Sequence, residues 1–380
     1  MPRVLSDERR DLVKAIGDFC NRECGTKEQR DKLTDNGQEQ HNQQLYEKMA
    51  ALGWLGIAVP EEYGGAGRGM VDLCLFLQET AYGRAPIGGF GPTVIAAAGY
   101  EKYGTPEQKR VVLSGVAEGR VEAVSMSEPG AGSDVGALTC RGERTTGGYL
   151  INGQKTWCSN AHFADHILLV ARTERTESKH QGLTQFMVPT GVEGLRISGI
   201  RTMGGKEVND LYFTDCFLPD SAVVGTPGQA WTQLMAGLNL ERMALAALML
   251  GVAKRAFEET LTYVRQREQF GRPIGSFQVL KHRIADMATE LECAQLLLDG
   301  VAAAIEAEPD RMFAREASMA KLKCTELAKH VTLEGMQMLG GYGYATEYGM
   351  EALLRQTVVS TVYGGTSEIQ RDIIGKTYGL

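Results

Sequence analysis

The hydrophobic pattern divides the chain into three stretches of different period. The longest regular stripe is Leu280, Ile284, Met287, Leu291, Ala294, Leu298, Val301 and Ile305, which alternate steps of four and three. Heptad spacing of this kind puts every apolar side chain on one face, the pattern of a helix packed lengthwise in a bundle. A helical stripe through Leu234, Leu238, Leu245, Leu248 and Val252 precedes it. The N-terminal part also reads as helical. Ser6 is placed to cap a helix through Leu12, Ile16 and Phe19, with acids in its first turn. A second helix through Leu45, Met49 and Leu52 precedes the glycine-rich break Gly64-Gly65-Ala66-Gly67, and further helix is expected at 73–82 and 94–103.

The middle of the chain has a different rhythm. Short β-rich runs at His166–Ala171, Thr184–Val188, Leu195–Ile200 and Leu211–Phe213 are separated by turn formers, and Asn152-Gly153 predicts a tight hairpin between Tyr149–Ile151 and Gln154–Trp157. The expected fold class is therefore α+β. An N-terminal helical domain covers 1–122, a small antiparallel β barrel or sandwich 123–228, and a C-terminal helical bundle 229–380.

Composition narrows the function. With a net charge of -7 and a pI near 5.6, a nucleic-acid groove or an anionic membrane surface is disfavoured. No run approaches the roughly 20 apolar residues that span a bilayer, so no membrane insertion is expected. The first residues lack the order of a signal peptide. The eight cysteines form no Cys-x-x-Cys pair and read as free thiols, and with six scattered histidines no metal box is visible. These features together point to a cytoplasmic protein.

Several motifs carry more specific chemistry. Ser127-Glu128-Pro129-Gly130-Ala131-Gly132-Ser133-Asp134, Arg267-Glu268-Gln269-Phe270-Gly271 with Phe277-Gln278, Gln337-Met338-Leu339-Gly340-Gly341-Tyr342-Gly343, and Gly365-Thr366-Ser367-Glu368-Ile369-Gln370-Arg371 occur in that order. Together with Val59-Pro60-Glu61-Glu62-Tyr63-Gly64-Gly65, they make nearly the whole chain resemble the acyl-CoA dehydrogenases. The resemblance implies FAD as cofactor. It places Met126, Ser127, Trp157, Cys158 and Ser159 along the flavin, with the Trp157 indole as a flat apolar wall. It places Arg267, Phe270, Gln278, Gln337, Gly340 and Gly341 at the cofactor of a neighbouring subunit, where the Arg267 fork would suit pyrophosphate oxygens. Thr366 and Glu368 would meet the flavin again, and Ser367 with Gln370 also reads as a capping box. Ser133, Asn239, Arg242, Gly364 and Gly365 would contact the acyl-CoA. The family further implies a homotetramer and an electron-transferring flavoprotein as electron acceptor. Gly130-x-Gly132-x-x-Val135 is a near miss to a dinucleotide fingerprint, but a β-rich stretch rather than a helix follows it.

Most of the family carries a Glu just before the final Gly-Thr motif, whereas this chain has Gly364. A carboxylate is found elsewhere. Position 241 lies three after Leu238 and four before Leu245, where the stripe predicts an apolar residue, and it is Glu241. Its helical neighbours at three and four residues include no cation. Such a group either pairs with another helix or works chemically, because an unpartnered buried carboxylate is costly. The resemblance favours chemistry, since isovaleryl-CoA and long-chain acyl-CoA dehydrogenases place their Glu at this helical site. The implied reaction is α,β-dehydrogenation of an acyl-CoA thioester. Glu241 removes the α-proton, the β-hydride goes to the flavin, and the Gly364 N–H with a flavin ribityl hydroxyl polarises the carbonyl. The alternative is a flavin-binding subunit without catalysis of its own.

Overall fold

The computed structural model describes residues 5–380, in which helices and β-strands follow the expected order. Six helices come first: α1 (Asp7–Cys24), α2 (Lys27–Leu33), α3 (Gln43–Ala51), α4 (Met70–Tyr82), α5 (Phe90–Tyr103) and α6 (Pro106–Ala117). Their starts follow capping chemistry. The Ser6 hydroxyl accepts from Arg9 N, and Thr26 and Thr105 each form a full capping box. The strands are β1 (Glu122–Ser125), β2 (Arg141–Thr145), β3 (Gly148–Ser159), β4 (His166–Arg172), β5 (Leu183–Pro189), β6 (Leu195–Thr202), β7 (Gly205–Pro219) and β8 (Val223–Val224). Helix α7 (Ala230–Gln266) follows, then the short strands β9 (Glu268–Gln269) and β10 (Arg272–Pro273). The chain ends with α8 (Gln278–Ala307), α9 (Ala314–Leu339), α10 (Gly341–Tyr344), α11 (Met350–Ser360) and α12 (Ser367–Lys376).

Two compact units emerge, and the chain passes between them more than once. One contains the described residues up to Gly37 with Gly69–Ala85 and Asn239–Leu380; the other contains Gln38–Arg68 and Pro86–Leu238. The N-terminal helices are thus shared. Helices α1, α2 and α4 belong with the C-terminal helices, and α3, α5 and α6 with the sheet.

In the sheet unit the strand order is β6-β7-β3-β2-β4-β5-β8, with β1 beside β4. The pairing is antiparallel apart from β1 on β4 and a single β2–β4 bridge, which run parallel. The Asn152-Gly153 hairpin does not form. The chain runs on through both residues as one strand, β3, which pairs with β7 and shifts register between Ile151 and Gly153. The turn lies earlier, at Thr146-Gly147, where β2 meets β3. A bulge absorbs the Asn-Gly step because β7 offers a long partner strand on that edge.

In the helical unit the heptad stripe of α8 is buried at Met287, Leu291, Ala294, Leu298 and Val301 and opens partly at Leu280, Ile284 and Ile305. Helix α7 is long and apolar enough, by length and composition, to cross a membrane. More than half of its most apolar window is buried within the protein, which accounts for that composition.

Candidate active site

In the sheet unit the site begins where β1 ends. Met126 and Ser127 are half-buried, and the Ser127 carbonyl accepts from Thr156 N at 3.0 Å. Glu128 turns inward beneath them. One carboxyl oxygen accepts from Thr139 N (2.6 Å) and Thr139 Oγ1 (2.8 Å). The other accepts from Cys140 N (2.8 Å) and Lys155 Nζ (2.9 Å). Lys155, fully buried, also donates to the Met126 carbonyl at 2.8 Å. Burial works to raise the Glu128 carboxyl, but Lys155 and the two N–H donors outweigh it and leave the group below its ordinary value. This buried pair fixes the turn that carries Met126 and Ser127.

Next to Lys155, β3 slips register against β7 between Lys155 and Cys158, and Trp157 sits in that slip with φ +59°. Its indole is not a core aromatic; it is 59% exposed. A bulge that re-aims a large apolar side chain outward provides a wall for a flat ligand. The Cys158 thiol turns the other way and donates to the Val124 carbonyl at 3.4 Å, and burial pushes it up to about 12. The Cys158 side chain is thus turned away from any ligand, and its carbonyl accepts from Asn209 Nδ2 at 3.0 Å. Ser159 is half-buried, and Ser133 is exposed on its loop beside the Asp134–Lys179 ion pair (2.8 Å).

In the helical unit Glu241 stands on α7 facing the loop after α11. A Cβ built on Gly364 would lie 3.4 Å from Glu241 Oε1 and would collide with Leu245 Cδ1. The carboxylate of position 241 therefore fills the space beside the glycine where most of the family is expected to carry its acid. Gly364 adopts φ +62°, and its N–H has no protein acceptor among the described residues. By surface area Glu241 is half-buried, yet protein surrounds its carboxyl closely. Burial raises its proton affinity, and Arg242 and Lys321 partly offset that rise. Arg242 is buried and donates to Asn239 Oδ1 at 3.2 Å, which ties two expected substrate contacts together.

The loop itself is clamped from below. Lys321 Nζ donates to the carbonyls of Ser360 (3.0 Å) and Gly365 (2.8 Å), and Gln370 Nε2 donates to those of Gly364 and Gly365 (3.0 Å each). This corrects the expected capping box. Thr366, not Ser367, caps α12 by accepting from Ile369 N, and Gln370 is drawn to the glycine carbonyls. Glu368 is exposed in the first turn of that helix. Sequence reasoning missed Glu128, Lys155, Lys321 and the role of Gln370. A signal existed for Lys321: Ala317, Lys321, Cys324, Ala328 and Val331 alternate steps of four and three, with a lysine on an otherwise apolar face.

A second region of the helical unit has a different character. Arg267, Gln269, Gly340, Gly341 and Tyr342 line an open cavity of about 500 Å³, with the guanidinium 5.5 Å from the Tyr342 ring centre. Nothing lies within 4 Å of where a Cβ on Gly340 or Gly341 would sit, so a ligand can approach that backbone. Gln337 is exposed in the last turn of α9 and is not part of the lining. Phe270 is 93% exposed at the tip of the β9–β10 hairpin, and Gln278 is exposed where α8 starts. No group of three or more metal-ligating side chains occurs among the described residues.

The N-terminal, middle and C-terminal domains of acyl-CoA dehydrogenases match residues 6–120, 123–216 and 228–379. The chain belongs to the acyl-CoA dehydrogenase family. It is 37% identical to the mitochondrial isovaleryl-CoA dehydrogenase of Solanum tuberosum over 341 residues, covering 87% of this chain and 81% of that one. Among solved structures, the acyl-CoA dehydrogenase of Geobacillus kaustophilus superposes with a TM-score of 0.93 at 30% identity and full coverage of both chains. The FAD complex of PigA superposes with a TM-score of 0.92 at 26% identity, again over both full chains. The protein is an oxidoreductase of this family, and FAD is its cofactor. The residues present fit that group. An exposed indole on a bulge suits a planar ring, and a guanidinium fork beside open glycine backbone suits a diphosphate.

Proposed function

We propose that this acyl-CoA dehydrogenase oxidises the acyl thioester to the trans-2-enoyl-CoA with Glu241 as the base. One observation carries the reading: a carboxylate on α7 lies beside Gly364, within 3.4 Å of where a Cβ on that residue would be. Burial raises the proton affinity of Glu241 towards the range useful to a general base. The unpaired N–H of Gly364 is a donor for the thioester carbonyl, whose α-proton then becomes acidic enough to transfer. Arg242 and Asn239, hydrogen-bonded one helical turn from each other, hold the thioester side of the pocket. In the sheet unit, Met126, Ser127 and the Cys158–Ser159 backbone would hold the ring edge of FAD and Trp157 would shield its face from water; in the helical unit, Thr366 and Glu368 are the further cofactor contacts that the family implies. Bound FAD supplies the two-electron acceptor.

Arg267, Phe270, Gln278, Gln337, Gly340 and Gly341 serve the cofactor of a neighbouring copy in a homotetramer, and electrons leave to an electron-transferring flavoprotein. The exposed Phe270 and the open Arg267 cavity support that arrangement. Similarity to an isovaleryl-CoA dehydrogenase puts short branched acyl groups first among substrates. A subunit without catalysis is disfavoured, since its only motive was the missing side chain at 364.

A panel of straight, branched and ring-bearing acyl-CoA thioesters, scored by bleaching of the flavin absorbance, tests the reaction and ranks the substrates. Glu241→Gln should keep FAD and acyl-CoA binding while losing roughly 10²–10⁴-fold in bleaching rate. Bleaching at the parent rate would remove Glu241 from the mechanism.

A further inference from the structure

We propose that Lys321 is a positioning residue for the dehydrogenation: its ammonium clamps the loop that presents the Gly364 N–H, and it is the buried cation that meets the same loop as Glu241. The inference rests on the assignment of Glu241 as the base.

Lys321 is fully buried on α9, in register with Ala317, Cys324 and Ala328, where an apolar side chain would pack at lower cost. Among the described residues no carboxylate lies within ion-pair distance of it. Its hydrogen-bond partners are two carbonyls, those of Ser360 and Gly365, one on each side of Gly364. Gln370 holds the carbonyls of Gly364 and Gly365 from α12. The last carbonyl of α11 and two carbonyls of the loop that follows therefore point at two buried donor side chains. With its carbonyls fixed inward, the loop keeps the positive φ at Gly364 and leaves that N–H without a protein acceptor. A loop with unclamped carbonyls could turn the same peptide over, and the thioester would lose its donor.

The charge acts across the loop. Lys321 feels Glu241 and Arg242 from α7, Glu326 from its own helix and Glu368 from α12. On Glu241 the opposing cations are Arg242 and Lys321. An ammonium held near a general base keeps it ionised at a lower pH than burial alone would allow. One side chain thereby links loop geometry to the protonation of the base.

The test uses the full-length, FAD-loaded protein with Lys321→Met, Lys321→Gln and Gln370→Leu beside the parent and Glu241→Gln. Flavin bleaching by a saturating acyl-CoA is followed as a function of pH. Lys321→Met should lower the plateau roughly tenfold by loosening the loop. It should also move the acid limb up by about half a pH unit or more, because the base binds its proton more tightly without the cation. Gln370→Leu should lower the plateau and leave the acid limb in place, since it removes donors but no charge.

Melting without substrate gives an independent readout. Burial pulls Lys321 down from 10.5 to about 8. The folded state then releases a proton that the unfolded chain keeps, so the parent should gain stability relative to Lys321→Met as pH rises from about 8 to 10.5. A folded neutral variant, Met or Gln, with the parent acid limb overturns the electrostatic role. If Gln370→Leu bleaches at the parent plateau, the clamp is overturned. Parent-like bleaching by Glu241→Gln instead rejects the base assignment, an outcome distinct from both.

Discussion

Lys155→Met isolates the contribution of the buried pair beneath the Met126–Ser127 turn. Lys155 is fully buried, and Glu128 is 6% exposed. Removing the ammonium leaves a carboxylate in the interior without its cation, a change that typically costs about 3–5 kcal/mol. Here Glu128 keeps three donors, from Thr139 N, Thr139 Oγ1 and Cys140 N, so the lower end, about 3 kcal/mol, is expected. The Met126 carbonyl also loses its partner. Adding Glu128→Gln should recover part of the loss. An amide accepts at only one of its two positions, whereas both carboxyl oxygens accept here, so recovery stays incomplete, with a coupling of about 1–2 kcal/mol.

The sign with pH follows from Glu128. Its folded value lies below the ordinary 4.5, so the pair contributes stability above that value and loses it as pH falls through the folded value. The gap between parent and Lys155→Met should be widest near neutrality and narrow on acidification, where protonation removes the unpaired charge. Thermal melting by tryptophan fluorescence, with flavin absorbance recorded in parallel, reads both stability and cofactor retention. A drop of several degrees at neutral pH is expected, with FAD lost below the parent's transition. A variant that melts within a degree of the parent and keeps its flavin would show that the pair does not hold this turn.

Two further outcomes follow from the same geometry. Arg267→Ala should leave folding nearly unchanged and weaken FAD retention about ten- to a hundredfold, measured by flavin released on dilution and gel filtration; unchanged retention would make Arg267 a surface charge. Gly364→Glu added to Glu241→Gln should restore little bleaching unless Leu245→Ala is included, because the new side chain meets Leu245 and must adopt φ +62°; full recovery without the Leu245 change would contradict the collision.

What the sequence disclosed depended on how far apart the interacting residues are. The α8 stripe and the vacancy in the α7 stripe at Glu241 are local periodicities, and both are legible because a helix repeats its environment every three or four residues. The Glu128–Lys155 pair spans 27 residues, from the turn after β1 to the middle of β3, and no period connects them. Asn152-Gly153 was misleading for a related reason. The dipeptide favours a tight turn, but a continuous partner in β7 outweighs local preference and converts the turn into a bulge. Gln370 stands three residues after Ser367, which satisfies the capping pattern, and only the position of the Gly364 and Gly365 carbonyls shows where its amide goes. Lys321 was legible in principle, since it breaks an apolar stripe as Glu241 does. A single lysine in a helix is ordinary until its surroundings are known to be closed.

The two departures from the expected apolar pattern, Glu241 on α7 and Lys321 on α9, approach the same short loop, and Gly364 explains why. A glycine there permits a positive φ that other residues adopt at a cost of roughly 1–2 kcal/mol. It also leaves room for Leu245, one helical turn after Glu241, to pack where a side chain would otherwise stand. Once Leu245 occupies that volume, an acid can no longer come from the loop and must come from the helix. The loop in turn has no side chain of its own at 364 to hold its shape, so its carbonyls need donors from below, which Lys321 and Gln370 supply. The glycine, the displaced carboxylate and the buried lysine are therefore one arrangement, and altering any one of them changes what the other two must do.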